Sequence, residues 1–309
     1  MRCDTGGRTA GRPGRPARYA ARPLLVLAAA LLALLPASAP VPVPEPRTAP
    51  DRLRIATWNM CGVEQWNCGG TGEADRKVRA LTELVTEDGA DVVLLQEVCD
   101  RDLADARQAL GPGWDTAFRG YAHRSADGRF APVGCGAHRG RAGIAVLASA
   151  PLSRVGTVDA QQPEVGLHRG ALCATVFEPG VRVCGAHLSL PGSDRAHPRW
   201  ELGDDQLAAL VDAAGDRTVF GGDLNSTPPT ASNARAWIWP DGAFGRYREC
   251  DQQGPDGRTG RPTLASGGKI DYLFTDLPRS GCSVRDTSAS DHLALIMEVE
   301  TGRGSGVQP

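Results

Sequence analysis

The chain has 309 residues, 41% of them hydrophobic and 23% charged, with a formal net charge of −2. That composition can fill a core, which excludes global disorder, and the near-zero charge excludes a strongly basic polyanion binder. Nine cysteines are many for a cytosolic enzyme of this size, and none lies in a CxxC or zinc-finger spacing.

Residues 1–23 hold six arginines and one acid, Asp4, and lead into twelve apolar residues, Leu24 to Leu35. Twelve helical residues span about 18 Å, too short for a bilayer core of about 30 Å. Ala37 and Ala39 follow with A-x-A spacing, so 1–39 reads as a secretory signal peptide. Its removal takes Cys3 away and leaves eight cysteines, with 28 basic against 35 acidic residues, a charge of −7. An exported chain with eight cysteines is expected to form four disulfides. Pairing neighbours along the chain gives Cys61–Cys68, Cys99–Cys135, Cys173–Cys184 and Cys250–Cys282. Residues 40–51 (PVPVPEPRTAPD) read as a proline-rich linker and 302–309 as a flexible tail, leaving one domain over 52–301.

Within that domain, apolar runs between Gly-rich loops predict strands over 53–59, 91–97, 114–119, 142–148, 171–177, 181–188, 218–223, 270–275 and 292–299. Helices are predicted over 73–88, 101–110 and 200–214. In the first, Val78, Leu81, Leu84 and Val85 share one face, and Gly89 follows as a C-cap. βαβ units mixed with hairpins point to an α/β fold with sheets buried under helices.

Polar residues gather at the ends of these strands: Asn59, Glu97, His187, Asp223 with Asn225, Asp271, and Asp291 with His292. A single one is ordinarily a turn former or helix cap; six strand ends together call for a site, because buried strands rarely carry acids unless these are paired or bind metal. Glu97, Asp223, Asp291, Asn59 and Asn225 offer hard oxygen ligands suited to Mg²⁺, Mn²⁺ or Ca²⁺, and the histidines offer acid–base groups. Asp291 and His292 are adjacent, so both can serve one site only at a loop-to-strand junction.

The segments ATWNM, LLQEV, AHLSL, GGDLNSTP, KIDYLF and SDHLAL, in this order over residues 53–299, resemble the endonuclease/exonuclease/phosphatase superfamily with its deoxyribonuclease I-like fold. The resemblance implies a four-layer α/β sandwich, two central, mostly antiparallel β-sheets flanked by helices, and a metal-dependent phosphoesterase. It implies that Asn59, Glu97 and Asp291 belong to the metal site, with Glu97 the principal ligand. It gives Asp223 and Asn225 the attacking water and a phosphate oxygen, His187 a phosphate contact, and Asp271 the task of orienting His292. The family also places a tyrosine or histidine and a basic group between the Glu and first His motifs; Tyr121, His123, Arg139 and Arg141 are candidates that no local motif separates. His138, His168 and His197 read as surface or loop histidines. No P-loop and no G-x-S-x-G elbow is present.

The expected partner is a phosphoester substrate. A nucleic acid is the first reading, with Arg119, Arg124, Arg129, Arg139 and Arg141 as phosphate contacts. A lipid or small phosphoester is the second, with Trp237, Ile238 and Trp239 as a membrane-facing loop. A monomer is expected.

Overall fold

Alternation along β1 (Arg52–Asn59) puts Leu53 and Ile55 on one face and Ala56 and Trp58 on the other, and all four are fully buried. A strand buried on both faces must lie in the middle of a layered fold. The computed structural model describes residues 48–66, 73–229 and 246–302, all within one compact unit.

One six-stranded sheet runs β14 (Arg279–Arg285), β15 (Ala294–Glu300), β1, β2 (Val92–Cys99), β6 (Ala142–Ala148), β3 (Asp115–Gly120). The second runs β12 (Arg248–Glu249), β13 (Asp271–Thr275), β11 (Thr218–Asp223), β10 (Val181–His187), β9 (Gly170–Val176), β7 (Ser153–Val158). A small sheet joins β5 (Phe130–Pro132), β4 (Ala122–Arg124) and β8 (Gly166–His168). Neighbours pair antiparallel except β1 with β2 and β10 with β11. Those parallel pairs are bridged by α1 (Ala74–Thr86) and α3 (Leu202–Ala214), because a parallel pair needs a crossover. A third helix, α2 (Asp100–Leu110), follows β2.

The two large sheets pack face to face over a layer that includes Ile55, Leu94, Val146, Val183, Val219 and Leu295. Helices α1 and α2 cover the outer face of the first sheet, where Trp58, Leu81, Leu84, Leu95 and Leu103 meet. On the outer face of the second, α3 buries Leu207 and Leu210 against Phe220 and Phe274. The four-layer sandwich expected from the sequence is therefore the observed fold. No helix among the described residues is long and apolar enough to cross a membrane.

The strands absent from the sequence expectation have a common cause. β4, β5 and β8 are three residues each, and β12 is two. β7 and β14 are edge strands that are mostly exposed or half-buried, so no apolar run marks them. Three of the four expected disulfides form: Cys99–Cys135, Cys173–Cys184 and Cys250–Cys282. Cys173 and Cys184 are register partners in the β9–β10 hairpin. Cys61 is also disulfide-bonded, while Cys68, residues 1–39 and the Trp237–Trp239 segment lie outside the described residues.

Candidate active site

The parallel strands end at one edge of the sandwich, and their last residues are the polar ones. His187 closes β10 and Asp223 closes β11, and the two are register partners. Asp223 pairs in turn with Asp271, the first residue of antiparallel β13. Register partners on adjacent strands project from the same face, so His187, Asp223 and Asp271 form a row across the second sheet.

The first sheet faces this row with Asn59, at the end of β1, and with His292, just before β15. The backbone around His292 is pinned: its carbonyl accepts Trp58 Nε1–H at 3.2 Å, its N–H donates to Ser290 Oγ at 3.1 Å, and Ser290 Oγ donates to the Asn59 carbonyl at 2.7 Å. Lys77 of α1, buried, donates its ammonium to the carbonyls of Met60 (2.8 Å) and Ala289 (2.7 Å). It thereby ties the loop after Asn59 to the loop before His292. Burial and nearby Arg139 lower this ammonium to about 8.

Glu97 reaches the site by a break in strand geometry. Along β2, Val92 and Leu94 face the inner layer while Val93 and Leu95 face the helices. Strict alternation would send Glu97 to the helix side. Instead the β2–β6 register shifts between Leu95 and Val98, and Glu97 takes φ +51°. Val98 and Cys99 then continue with parity reversed, as one inserted residue requires. A left-handed non-glycine residue costs about 1–3 kcal/mol, the kind of strain that collects at functional sites. Gly62 makes the bulge possible: its N–H donates to the Glu97 carbonyl at 3.0 Å, and a Cβ there would lie 2.3 Å from that oxygen.

The hydrogen bonds converge on Asp223 Oδ2. Asn59 Nδ2 donates to it at 2.9 Å and to Glu97 Oε1 at 3.2 Å, while Asn59 Oδ1 accepts the Cys61 N–H. His187 Nε2 lies 3.5 Å and His292 Nε2 3.9 Å from the same oxygen. Asp223 Oδ1 accepts the Asn225 N–H at 3.0 Å, and Asn225 Nδ2 donates to the Leu188 carbonyl. Both oxygens of Asp271 face His292 Nδ1, at 2.9 and 3.1 Å. Asn59 thus acts here as a clamp on two carboxylates. Asp291 is exposed one residue from His292, and its Oδ1 accepts the Ser290 hydroxyl at 3.4 Å.

Two residues complete the site that no sequence motif selected. The Tyr121 hydroxyl accepts the Glu97 N–H at 3.2 Å and lies 2.8 Å from His187 Nδ1. Asp223 Oδ2 faces Nε2 at 3.5 Å and a carboxylate can only accept, which assigns the hydrogen of the neutral imidazole to Nε2 and leaves Nδ1 to accept the Tyr121 proton. Burial, reinforced by the Glu97 charge, holds the phenol well above 10. Burial and the positive charges of Arg169 and His292 hold His187 well below 6.5, so it is neutral. Arg169 Nη1 donates to the Leu188 carbonyl at 3.1 Å, and its buried Nε has no hydrogen-bond partner among the described residues. His187 and Gly170 are register partners, so Arg169 precedes β9 at the same sheet edge.

Most of the other candidates are held by partners outside this cluster. Arg139 pairs with Asp102 of α2, Arg141 with Asp100, and Arg129 with Asp127. Arg124 lies over the Phe130 ring. Arg119 is partly buried with Nη1 lacking a partner. His168 bonds the Pro163 carbonyl, and His197 pairs with Glu164 and stacks on Trp200.

Burial separates the protonation states. It raises Asp223, and the adjacent Asp271 charge adds to this. Burial and Asp223 raise Glu97 to about 7. For His292 burial opposes charge, but Asp271, Asp223 and Asp291 outweigh it and lift the imidazole to about 10. Glu97 Oε2 is buried with no hydrogen-bond partner among the described residues. Among the described residues, one group of acids and histidines brings ligand atoms within 4.8 Å of one another, namely Asp223, Asp271 and His292. Within it Asp271 is committed to His292, whereas Glu97 Oε2 is a hard, unshared oxygen.

The sequence profile of the Endonuclease/Exonuclease/phosphatase family matches residues 56–292. No curated protein matches the sequence significantly. Similar solved structures include an endonuclease/exonuclease/phosphatase from Beutenbergia cavernae, 24% identical, with TM-score 0.60 over 82% of this chain and 72% of that one. A humanized D. rerio TDP2 is 17% identical, with TM-score 0.57 over 82% and 100%. The 3′ phosphatase NExo from Neisseria, bound to product DNA hairpin, is 16% identical, with TM-score 0.55 over 80% and 99%.

Proposed function

Since the chain belongs to the endonuclease/exonuclease/phosphatase family, whose members are phosphoester hydrolases, we propose that it is an exported, divalent-metal-dependent phosphodiesterase that hydrolyses DNA or RNA. One observation carries this reading. Asn59, His187 and His292 converge on Asp223 Oδ2 beside a buried Glu97 oxygen that no described residue satisfies. The disulfides support an oxidising compartment.

The residues fit a hard cation. Glu97 Oε2 would hold it, with Asp291 at the exposed rim and Asn59 fixing the Glu97 carboxylate. A bound Mg²⁺, Mn²⁺ or Ca²⁺ supplies positive charge against the phosphate and the leaving oxygen.

The chain's own groups divide the remaining work. Asp223, raised by burial, takes a proton from the attacking water at Oδ2, where Asn59 and Asn225 fix the carboxylate. Neutral His187 presents Nε2–H to a non-bridging phosphate oxygen, its tautomer set by Asp223. His292, kept protonated by Asp271, directs an N–H and a positive charge at the same phosphate. Arg169 adds a fixed cation beside Leu188.

Plasmid nicking and sphingomyelin hydrolysis with Mg²⁺, each with an EDTA control, test the reading. EDTA-sensitive nicking is expected. Sphingomyelin turnover without nicking refutes the nucleic-acid assignment. Glu97→Gln and His292→Ala should abolish most activity with circular dichroism unchanged; full turnover in either refutes the site.

A further inference from the structure

A cavity of about 440 Å³ lies on the far side of Trp66 from Tyr121 of the candidate site. It is bounded by Trp66, by His123 of β4, by Leu167 of β8, and by Ser193 and Arg195 of the loop after β10. Trp66 also stacks on Tyr121, with ring centroids 6.1 Å apart and planes at 30°, and Tyr121 in turn lies 5.6 Å from the His187 ring. The cavity and the phosphate-facing histidine are therefore joined through two aromatic contacts.

The wall is pre-built. Asp194, fully buried, accepts four backbone N–H groups, from Glu164, Val165, Ala196 and His197, at 2.8–3.3 Å. These bonds clamp Ser193 and Arg195 against β8. The approach is close enough that a Cβ on Gly166 would lie 2.6 Å from the Ser193 carbonyl oxygen. Arg195 makes no ion pair among the described residues, and its side chain is exposed at the cavity rim.

We propose that this cavity binds the nucleobase of the phosphodiester whose phosphate sits at His187, with Trp66 and Arg195 as its specificity-determining residues. The inference rests on the phosphodiesterase reading. An acyl chain needs a continuous apolar lining, which Gln65, His123, Ser193 and Arg195 interrupt. A base offers a π-face for the indole and a polar edge for the amide, imidazole and guanidinium. The volume lies within the range of small-ligand pockets.

The test compares the p-nitrophenyl esters of adenosine 5′-phosphate and of methyl phosphate, which share a leaving group. The wild-type enzyme should favour the nucleoside ester by about tenfold in kcat/KM, the size of one base-stacking contact. Trp66→Ala and Arg195→Ala should bring the ratio toward one, Trp66→Phe should retain most of it, and Arg195→Ala should leave methyl ester turnover unchanged. An equal ratio in wild type and variants overturns the inference, as does hydrolysis of phosphatidylcholine vesicles with no nucleoside preference. Calorimetric titration with adenosine 5′-monophosphate against ribose 5-phosphate reads the cavity without turnover. Tighter nucleotide binding that Trp66→Ala removes supports the cavity even where hydrolysis fails, and hydrolysis failure alone refutes the phosphodiesterase reading. Equal binding of the two phosphates overturns the inference.

Discussion

Glu97→Gln should make the metal-free protein less sensitive to alkaline pH while removing its activity. Burial, with help from Asp223, raises this carboxyl from 4.5 to about 7, so the folded state holds the proton more tightly than the unfolded chain. Stability from this group is therefore greatest below pH 4.5 and is lost as pH rises through 7. The difference amounts to about 3 kcal/mol, or about 6–12 °C in Tm for a domain of this size. Gln keeps the shape and the acceptor for Asn59 Nδ2 but never ionises. In EDTA, denaturant-derived stability between pH 5 and 8 should fall by about 3 kcal/mol more for wild type than for the variant. Added Mg²⁺ should remove that difference by favouring the ionised wild-type carboxylate. Parallel stability curves for the two proteins in EDTA would refute the placement of Glu97 as a buried, uncompensated acid.

Tyr121→Phe removes the acceptor of the Glu97 N–H and the donor to His187 Nδ1. Unfolding titration should show a loss of about 1–3 kcal/mol, and steady-state kinetics a fall in kcat larger than any change in KM. Asp271→Asn takes the main charge partner from His292, so NMR titration of the imidazole should show its pKa falling from about 10 toward 6.5. Because the raised histidine stabilises the fold fully below 6.5 and loses that effect as pH rises through 10, the variant should also lose stability at neutral pH. Replacing both Cys99 and Cys135 by Ser opens a cross-link spanning 36 residues and should cost about 3–4 kcal/mol by calorimetry or denaturant. It should also lower activity, since Cys99 lies two residues from Glu97.

Much of this site is written in the sequence because apolar runs mark where strands end. β1, β10 and β11 are central, and each hydrophobic run stops at a residue that faces the inner layer or its rim: Asn59, His187, Asp223. Glu97 was visible as a strand-end acid, but the direction of its side chain was not. The bulge that reverses the parity of β2 depends on the fit of Gly62 against its carbonyl, a tertiary contact. Tyr121 stood among four candidates because β3 and β4 around it are short or half-buried, and its partners are 24 and 66 residues away. Arg169 carries no such signal because it stands before the start of β9 rather than at a strand's end. In an antiparallel neighbour the beginning of the strand lies at the same edge, as Gly170 opposite His187 shows. That rule would have found it. The arginines expected near phosphate proved mostly to be bound by acids close at hand, which local charge pattern alone does not reveal.

The site is divided between the sheets: Asn59, Glu97 and His292 come from one, His187, Asp223 and Asp271 from the other. Moreover, His292 stands just before β15, which pairs with β1. The candidate site therefore draws on segments more than 200 residues apart in sequence, from Asn59 to His292. These groups come together only when β15 pairs with β1 and the two sheets meet.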